Sequence, residues 1–500
     1  MSRKLPTLVR RLVPSGGTGQ RAAKSAVWLF GQNMVDRLLP LVLLVVLARL
    51  VGPLELGLVG IALVSMSALR SLTEVGLNEA LIQRVEDNVD RYLNTVLAME
   101  IARGVLIFSV LFLAAPFIGR LFDAPAATPL IQVMAVSSVL RGLKNPAVVY
   151  FQKNLEYHKL FVYNTGGTLA FFFTGLALAL WDPSAWAWVG AFLAADIVRL
   201  VSSYFIHDYR PGLGFDREAA ADLIHFGKWI TGSSILYFLY NEGDDVFVGW
   251  LLSPVALAYY QYAYRMSNAP ATELSQVIAG VMFPAFSKFQ TDIKRLRESY
   301  LVTIRMVSFV AVPMGLGFAV VTPAFVAAAF GPEWLPMVVA MQVLALYGVY
   351  RAIGKTMGAL WKAVGRPDYI TKTSLIKVVI IAALIYPVTA RWGITGTAVL
   401  VLAVNLLVSM PLNLYITAKI LETTSARILA ETMYPLVASV VMAAVTWYVG
   451  QLLTLPAWIE LCAMIATGGV VYAAAVLALD IGTNWGMRAN IKQLVSNVVS

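Results

Sequence analysis

The sequence predicts an all-α polytopic membrane protein with about fourteen transmembrane helices. Apolar residues make up 59% of the 500 residues, charged residues make up 13%, and the mean hydropathy is +0.74. Soluble proteins carry roughly 25% charged residues, so most of this surface faces something other than water. Apolar runs of about 20 residues recur along the chain, which is the length that a helix needs to cross a bilayer. A membrane barrel would instead show alternating segments of about 10 residues.

Pro and Gly residues, which interrupt or end helices, separate most of the apolar runs. Examples are Gly52-Pro53, Asp182-Pro183 and Ser253-Pro254. No connection exceeds about twenty residues, which is too short for a folded soluble domain. The predicted spans are 24–50, 54–80, 92–118, 128–150, 159–181, 185–209, 222–252, 255–286, 299–323, 334–363, 369–391, 394–421, 428–450 and 456–480.

Basic residues predict the orientation, because cytoplasmic connections of membrane proteins are enriched in Lys and Arg. Every second connection carries them, whereas the alternate connections hold little beyond Arg120 and Arg391. With an even number of spans, both termini are expected in the cytoplasm, together with the connections 83–91, 210–221 and 287–298. This pattern accounts for the net charge of +10. A nucleic-acid partner is not expected, since the basic residues form no clustered face interleaved with aromatics.

An internal repeat organises the chain. Aligning Trp28 with Trp229 also places Gly31 on Gly232 and Pro53 on Pro254. Both matched spans begin at the same side, which predicts two six-helix lobes related by a parallel pseudo-repeat, with substrate held between them. The predicted segments are a basic cytoplasmic tail 1–23, an N-terminal lobe 24–209, a linker 210–221, a C-terminal lobe 222–421, two extra helices 422–480 and a cytoplasmic tail 481–500.

Several motifs resemble those of a known family. They are Leu47–Pro53, Gly76–Arg84, the N-x-x-D-x-x-x-x-G pattern that begins at Asn241, Ala263–Arg265 and Gly365–Asp368. In this order they are similar to the Wzx-like polysaccharide flippases of the MOP superfamily. The resemblance implies two six-helix lobes around a central cavity, with two further helices. It also implies a bacterial inner-membrane location and undecaprenyl-diphosphate-linked oligosaccharide as the cargo.

A diphosphate cargo requires cationic side chains within the membrane that can bind its phosphate oxygens. Arg presents a planar fork that suits phosphate oxygens, and an intramembrane charge costs about 3 kcal/mol, so it usually faces a cavity or another charge. The residues predicted to contact the diphosphate or the sugars are Arg265, Arg351, Lys355, Arg37, Arg70 and Arg141.

Helical spacing leaves a structural alternative open for some of the intramembrane charges. Residues three or four positions apart share a helix face, so they can form ion pairs there. This alternative pairs Arg70 with Glu74, Glu100 with Arg103 and Asp196 with Arg199.

Three carboxylates are candidates for binding a coupling ion, H⁺ or Na⁺, namely Asp244, Asp245 and Asp36. The alternative is that they pair with cavity arginines such as Arg265. The tyrosines from Tyr259 to Tyr264 allow two interpretations as well. They either stack on sugar rings or form an interfacial aromatic belt.

Rival functions fit the sequence less well. A multidrug or small-molecule exporter of the same superfamily would favour an acidic or apolar cavity, and a polymerase or glycosyltransferase would need a larger extramembrane loop. The sequence contains no recognisable nucleophile triad, phosphate-binding loop or metal cluster, and Cys462 is its only cysteine. We therefore expect no enzyme activity, cofactor or metal. The expected partners are the lipid-linked oligosaccharide, membrane lipids and a coupling ion. We expect a monomer, with association with polymerase and export machinery left open.

Overall fold

A computed structural model describes residues 18–83, 89–212, 214–453 and 455–483. The predicted basic tail up to residue 17 and the tail from residue 484 lie outside these ranges. Within the described ranges every regular element is a helix. The all-α membrane architecture predicted from the sequence is confirmed.

The first half of the chain contains the segments that correspond to the first seven predicted spans. Its helices are α1 (Thr18–Val51), α2 (Pro53–Thr73), α3 (Leu77–Gln83), α4 (Asp90–Leu121), α5 (Ala127–Gly142), a 3₁₀ turn (Pro146–Val148), α6 (Val149–Lys153), α7 (Tyr157–Trp181), α8 (Ala185–Ile206), α9 (Arg217–Asn241) and α10 (Gly243–Leu251).

The second half continues with long helices. They are α11 (Pro254–Lys288), α12 (Ile293–Ala329), a 3₁₀ turn (Pro332–Met337), α13 (Val338–Ala363), α14 (Asp368–Val404), a π-helical turn (Asn405–Ser409), α15 (Met410–Ile420), α16 (Ser425–Leu452) and α17 (Ala457–Thr483).

Nine helical stretches within the described ranges are long and apolar enough to cross a membrane. One of them, Asp368–Ile420, contains two predicted spans. Gly393 separates these spans with non-helical backbone angles (φ 57°, ψ −148°), and glycine adopts this left-handed conformation without steric cost. Each predicted span overlaps helix among the described residues, but 54–80 is interrupted at 74–76 and 128–150 at 143–145. The total of fourteen crossings stays a prediction.

The chain forms two compact units, Met1–Ala258 and Tyr259–Ser500. The seventh predicted span belongs to the first unit, where α9 packs against α2 and α4. The lobe boundary predicted at 210–221 rests on the sequence repeat, and the assignment of 24–209 and 222–421 to two lobes stays a prediction.

The seventh predicted span is interrupted near its middle. Helix α9 ends at Asn241, and Glu242 has non-helical backbone angles (φ −131°, ψ −2°) before α10 begins at Gly243. Asp244 and Asp245 occupy the first turn of α10. Negative charge there is favourable, because the first N–H groups of a helix have no intrahelical acceptor and the helix dipole is positive at that end.

Hydrogen bonds join three connections at one end of the first unit. The Tyr150 hydroxyl donates to Asp90 Oδ1 (2.7 Å), and the Tyr209 hydroxyl donates to Asn94 Oδ1 (3.2 Å). Asn145 Nδ2 donates to the Tyr209 carbonyl (2.8 Å). The connections that follow the second, fourth and sixth predicted spans therefore lie on one side, as the basic residues predict. Which side of the membrane this is stays a prediction.

Helices α4 and α5 cross in close contact through glycines. A Cβ atom on Gly142 would overlap the Glu100 carbonyl oxygen, and one on Gly104 would lie 2.5 Å from the Ser138 carbonyl oxygen. These contacts are with backbone atoms, which cannot move aside as a flexible side chain can. The two glycines therefore set the distance between α4 and α5.

Gly142→Ala should destabilise the protein, because an added methyl group that overlaps backbone costs about 1–3 kcal/mol. We expect a clearly lower thermal unfolding midpoint in detergent. The control is Gly469→Ala on α17, where an added Cβ meets no atom within 4 Å, and it should leave the midpoint unchanged. Equal midpoints for the two variants would contradict the close crossing.

The predicted orientation is tested by cysteine labelling in a Cys462→Ala background. Cysteines at Asp182 and Ser253 should react with a membrane-impermeant maleimide in intact cells, because both positions lie in connections predicted to be periplasmic. A cysteine at Thr291, an exposed position in a predicted cytoplasmic connection, should react only after permeabilisation. The opposite pattern would reverse the orientation.

Candidate functional site

The first unit contains a polar cavity of about 490 Å³. Helices α2 to α7 contribute residues to its wall, and it lies at the end of the unit where the three connections meet. Its volume is within the range of small-molecule sites, which is about 300–1,000 Å³. Four cationic side chains line it, namely Arg70, Arg103, Arg141 and Lys144.

Two of these cations share one buried carboxylate. Asp196 on α8 has no solvent-exposed side-chain surface. It accepts hydrogen bonds from Arg141 Nε (2.9 Å) and Lys144 Nζ (3.1 Å), and also from the Ser137 hydroxyl. A buried carboxylate is tolerated only when it is paired and hydrogen-bonded. The expected pairing of Asp196 with Arg199 is wrong, because Arg199 reaches the Thr168 hydroxyl instead (3.5 Å).

The third cation, Arg103, is held by two glutamates. Its guanidinium donates to Glu74 at 2.7 Å and to Glu100 at 3.5 Å. The expected pair of Glu100 with Arg103 is confirmed, whereas the pair of Arg70 with Glu74 is wrong. Helix α2 ends at Thr73, and Glu74 has an extended backbone (φ −66°, ψ 121°). Arg70 and Glu74 therefore lack the i, i+4 geometry of a continuous helix.

Arg70 has a different environment from the other three cations. Its Nη2 donates to the Ser137 hydroxyl oxygen at 3.0 Å. Its guanidinium carbon lies 6.0 Å from the centroid of the Phe192 ring, and that of Arg141 lies 5.2 Å from the same centroid. Within the described ranges Arg70 forms no ion pair. It is the lining cation that is held by neutral groups.

The other predicted residues of the first unit lie outside the cavity wall. Asp36 on α1 accepts a hydrogen bond from the Thr168 hydroxyl at 2.5 Å, and Arg37 is half-buried on the same helix. Asp244 is buried and Asp245 is half-buried at the beginning of α10. Of the predicted site residues, the cavity brings together Arg70 and Arg141.

The predicted cations of the second unit lie on α11 and α13. Arg351 Nη1 donates to the Tyr264 hydroxyl at 2.6 Å, and its guanidinium lies 5.6 Å from the Tyr264 ring centroid and 5.8 Å from that of Tyr347. Lys355 is half-buried one turn further along α13, and Arg265 is exposed on α11. Aromatic faces attract cations at these distances, so the two tyrosine rings stabilise the position of Arg351.

Two tyrosines of the second unit have neither of their expected roles. Tyr260 and Tyr262 are 0% and 4% exposed, and the Tyr262 ring packs against Trp334 with centroids 4.8 Å apart. They are core residues, so they face neither sugars nor the membrane interface.

Reasoning from spacing within single helices missed most of the residues around the cavity. Lys144, Ser137 and Phe192 received no role, and Asp196 and Arg103 were treated as members of local pairs. One signal was available: Lys144 follows Arg141 by three residues and therefore continues its helix face. The meeting of Asp196 with Ser137 and Arg141 joins different helices, and spacing within one helix carries no information on it.

Two comparisons concern the fold. The chain is similar in structure to "Lipid II flippase MurJ, inward closed conformation", with a TM-score of 0.73 and 13% identity over 92% of this chain and 99% of that chain. It is also similar to a MATE-family multidrug resistance transporter of the MOP superfamily in an inward-facing conformation. That TM-score is 0.62, with 16% identity over 80% of this chain and 99% of the other. Both likenesses show a shared fold.

Sequence comparison identifies the family. The "Lipopolysaccharide biosynthesis protein WzxC" of Escherichia coli (strain K12) is 29% identical over 360 residues, which is 72% of this chain and 73% of that protein. The model of the family described as "Polysaccharide biosynthesis protein" matches residues 46–339. This match covers more than half of the chain, which therefore belongs to the family of polysaccharide biosynthesis proteins.

Proposed function

We propose that this protein is a flippase that moves undecaprenyl-diphosphate-linked oligosaccharide repeat units across the bacterial inner membrane. The product would serve the biosynthesis of exopolysaccharide, O-antigen or capsule. The observation that carries the proposal is the cation-lined polar cavity in a chain that belongs to a polysaccharide biosynthesis family. The fold shared with a lipid II flippase supports it.

The physical problem of this transport explains the kind of residues required. The polyprenyl tail can stay in lipid, whereas the diphosphate and the sugars would lose their hydration in hydrocarbon at a cost of several kcal/mol or more. Cations that replace water around the diphosphate lower that cost. In our proposal Arg265, Arg351, Lys355, Arg37, Arg70 and Arg141 serve this purpose during alternating access.

A small-molecule exporter is the second candidate, because a multidrug transporter shares the fold. The charges favour the flippase. A cavity that binds cationic drugs would present an excess of carboxylates. The wall described here instead carries four cations beside Glu74, Glu79 and Glu100, and the first and last of these glutamates are paired with Arg103. Resistance to a panel of cationic drugs should therefore be the same with and without the protein.

The cargo is tested by gene deletion. A strain that lacks the protein should accumulate an undecaprenyl-diphosphate-linked oligosaccharide on the cytoplasmic leaflet, because synthesis continues while export stops. Mass spectrometry of extracted lipids identifies the glycan, and a membrane-impermeant glycosidase applied to spheroplasts reports its leaflet. Normal polysaccharide export without such accumulation would overturn the proposed function.

Arg265→Ala should abolish glycan export in the complemented deletion strain while the protein level stays unchanged. Arg265 is an exposed side chain on α11, and its loss removes a contact to the cargo and leaves the fold intact. The matched control is Arg391→Ala, an exposed arginine at the end of a predicted span, which should export normally. Normal export by Arg265→Ala would remove Arg265 from the proposed set.

Energy coupling is tested in sealed proteoliposomes with a lipid-linked oligosaccharide. We propose that Asp244, Asp245 or Asp36 binds H⁺ or Na⁺, so the flipping rate should change with an imposed gradient of one of them. Asp244→Asn should flip at a rate independent of both gradients, while the control Asp182→Asn should behave as the wild type. A wild-type protein indifferent to both gradients would assign these carboxylates a structural role.

A further inference from the structure

We infer that a pocket in the second unit binds the headgroup of a phospholipid with a primary ammonium group, as in phosphatidylethanolamine, and that Glu460 accepts from the ammonium. The pocket has a volume of about 290 Å³, and its lining residues all belong to the unit Tyr259–Ser500. It shares no lining residue with the polar cavity of the first unit. The inference goes beyond the proposed function, since a resident membrane lipid is neither the cargo nor a coupling ion.

The pocket lies near one end of four helices. Its wall contains residues from the end of α12, the beginning of α13, the end of α16 and the beginning of α17. The other end of α12 follows the connection 287–298, which is predicted to be cytoplasmic. Trp447 in the wall and Trp458 at the beginning of α17 are 56% and 54% exposed, and exposed tryptophans are typical of the membrane–water interface. We therefore expect the pocket at the depth of the periplasmic headgroups.

The wall has a polar part and an apolar part. The polar side chains lie within about two turns of a helix end; they are Gln342, Trp447, Gln451 and Glu460. The apolar part consists mainly of α12 residues from Ala319 to Ala324. It extends about 15 Å from the end of α12 at a rise of about 1.5 Å per residue. Polar groups near the helix ends and apolar groups further in match a phospholipid, whose headgroup continues into acyl chains.

Glu460 gives the pocket a negative charge. It is half-buried, and the described wall contains no Lys or Arg. Within the described ranges its carboxylate forms no ion pair or side-chain hydrogen bond. Its place in the first turn of α17 is favourable for a negative charge, yet leaves the lone pairs of the carboxylate available. A cation with N–H donors would supply the partner that a carboxylate beside hydrocarbon requires.

Gln342 supplies a second acceptor from a different helix. Its Nε2 donates to the Ala319 carbonyl at 3.0 Å. Because a carbonyl oxygen accepts and never donates, this bond determines the orientation of the amide and leaves Oε1 as an acceptor. No described residue donates to that oxygen. Two acceptors in one wall suit a primary ammonium, which has three N–H donors.

The wall is less suited to a quaternary ammonium, as in phosphatidylcholine. Such a group has no N–H to donate, and proteins recognise it with a cage of aromatic rings. Trp447 is the one aromatic residue in the described wall. The acceptors Glu460 and Gln342 would then have no hydrogen-bond partner in the ligand. The polar groups therefore favour the primary ammonium.

Trp447 and Gln451 provide donors for the phosphate of the same headgroup. They lie four residues apart on α16, which places them on one helix face. The indole N–H and the side-chain amide are neutral donors, and neither has a hydrogen-bond partner among the described residues. They can bind a phosphate oxygen without cancelling its charge. A prenyl diphosphate brings no ammonium, and its negative charge would be repelled by Glu460.

The test titrates the purified full-length protein in detergent with phosphatidylethanolamine, phosphatidylcholine and phosphatidylglycerol of identical acyl chains, and native mass spectrometry measures the bound fraction. We expect phosphatidylethanolamine to bind about fivefold or more tightly than the other two, because phosphatidylcholine lacks the N–H donors and phosphatidylglycerol lacks the cation. Glu460→Gln should remove this preference. The matched control is Glu333→Gln, an exposed carboxylate after α12 that does not line the pocket, and it should retain the preference.

Two results of this titration would overturn the inference. One is equal binding of the three lipids by the wild type. The other is an unchanged preference for phosphatidylethanolamine in Glu460→Gln.

Thermal unfolding distinguishes lost binding from lost folding. Phosphatidylethanolamine should raise the unfolding midpoint of the wild type, since a ligand that binds only the folded state stabilises it. Glu460→Gln should have the wild-type midpoint without added lipid and should lose the increase. A variant with a lower midpoint that phosphatidylethanolamine still raises as in the wild type would assign Glu460 a structural role and overturn the inference.

A competition experiment separates the membrane lipid from the cargo. Excess short-chain prenyl diphosphate should leave the bound phosphatidylethanolamine in place, because the pocket offers it no cation. Displacement would assign the pocket to the cargo and overturn the inference. Lipid binding is measured without transport, so the outcome is independent of whether the protein flips a lipid-linked oligosaccharide.

Discussion

Hydrocarbon provides no hydrogen-bond partner for a charge, so an intramembrane ion is stabilised by a partner inside the protein or by a water-filled cavity. Asp196 is the clearest case, since its fully buried carboxylate collects a guanidinium, an ammonium and a hydroxyl group from neighbouring segments. This requirement fixes the relative positions of α5 and α8, because the donors on α5 and beyond its end must all face one carboxylate. The shape of the polar cavity follows from that arrangement. Removal of the carboxylate would take this partner from two cations, and breaking a buried ion pair costs about 3–5 kcal/mol.

The second unit holds one half-buried arginine by a carboxylate and another by tyrosine side chains. Arg305 on α12 and Glu431 on α16 form an ion pair at 2.7 Å, with both side chains less than 20% exposed. This pair ties the first of the two extra C-terminal helices to a helix of the predicted C-terminal lobe. Arg351 is stabilised by tyrosine rings and a hydroxyl group. The two arginines therefore differ in the chemistry of these partners, which are a carboxylate for Arg305 and tyrosine side chains for Arg351.

Much of the fold could be predicted from the sequence, because helix length and hydropathy are local properties that a bilayer constrains strongly. Each predicted span overlaps helix among the described residues, although three of the spans contain a break in the helix. The motifs indicated the family that the comparisons identify. The residues around the cavity could be predicted less completely. Arg70 and Arg141 were predicted, yet their partners were assigned by spacing within a helix, and helices that cross at Gly104 and Gly142 bring together side chains that are distant in sequence. The break at Glu242 was not predicted, because the polar residues around it are equally compatible with a continuous helix.

The segment between the predicted lobes is hydrogen-bonded to the beginning of α4 at two positions. The backbone N–H of Gly212 donates to Asn94 Oδ1 at 2.7 Å, and that of Asp216 donates to Thr95 Oγ1 at 3.0 Å. Asp216 in turn caps α9 by accepting from the N–H groups of Glu218 and Ala219. These two hydrogen bonds hold Gly212 and Asp216 against the beginning of α4. A displacement of the α4 N-terminus would therefore act on the start of α9 through them.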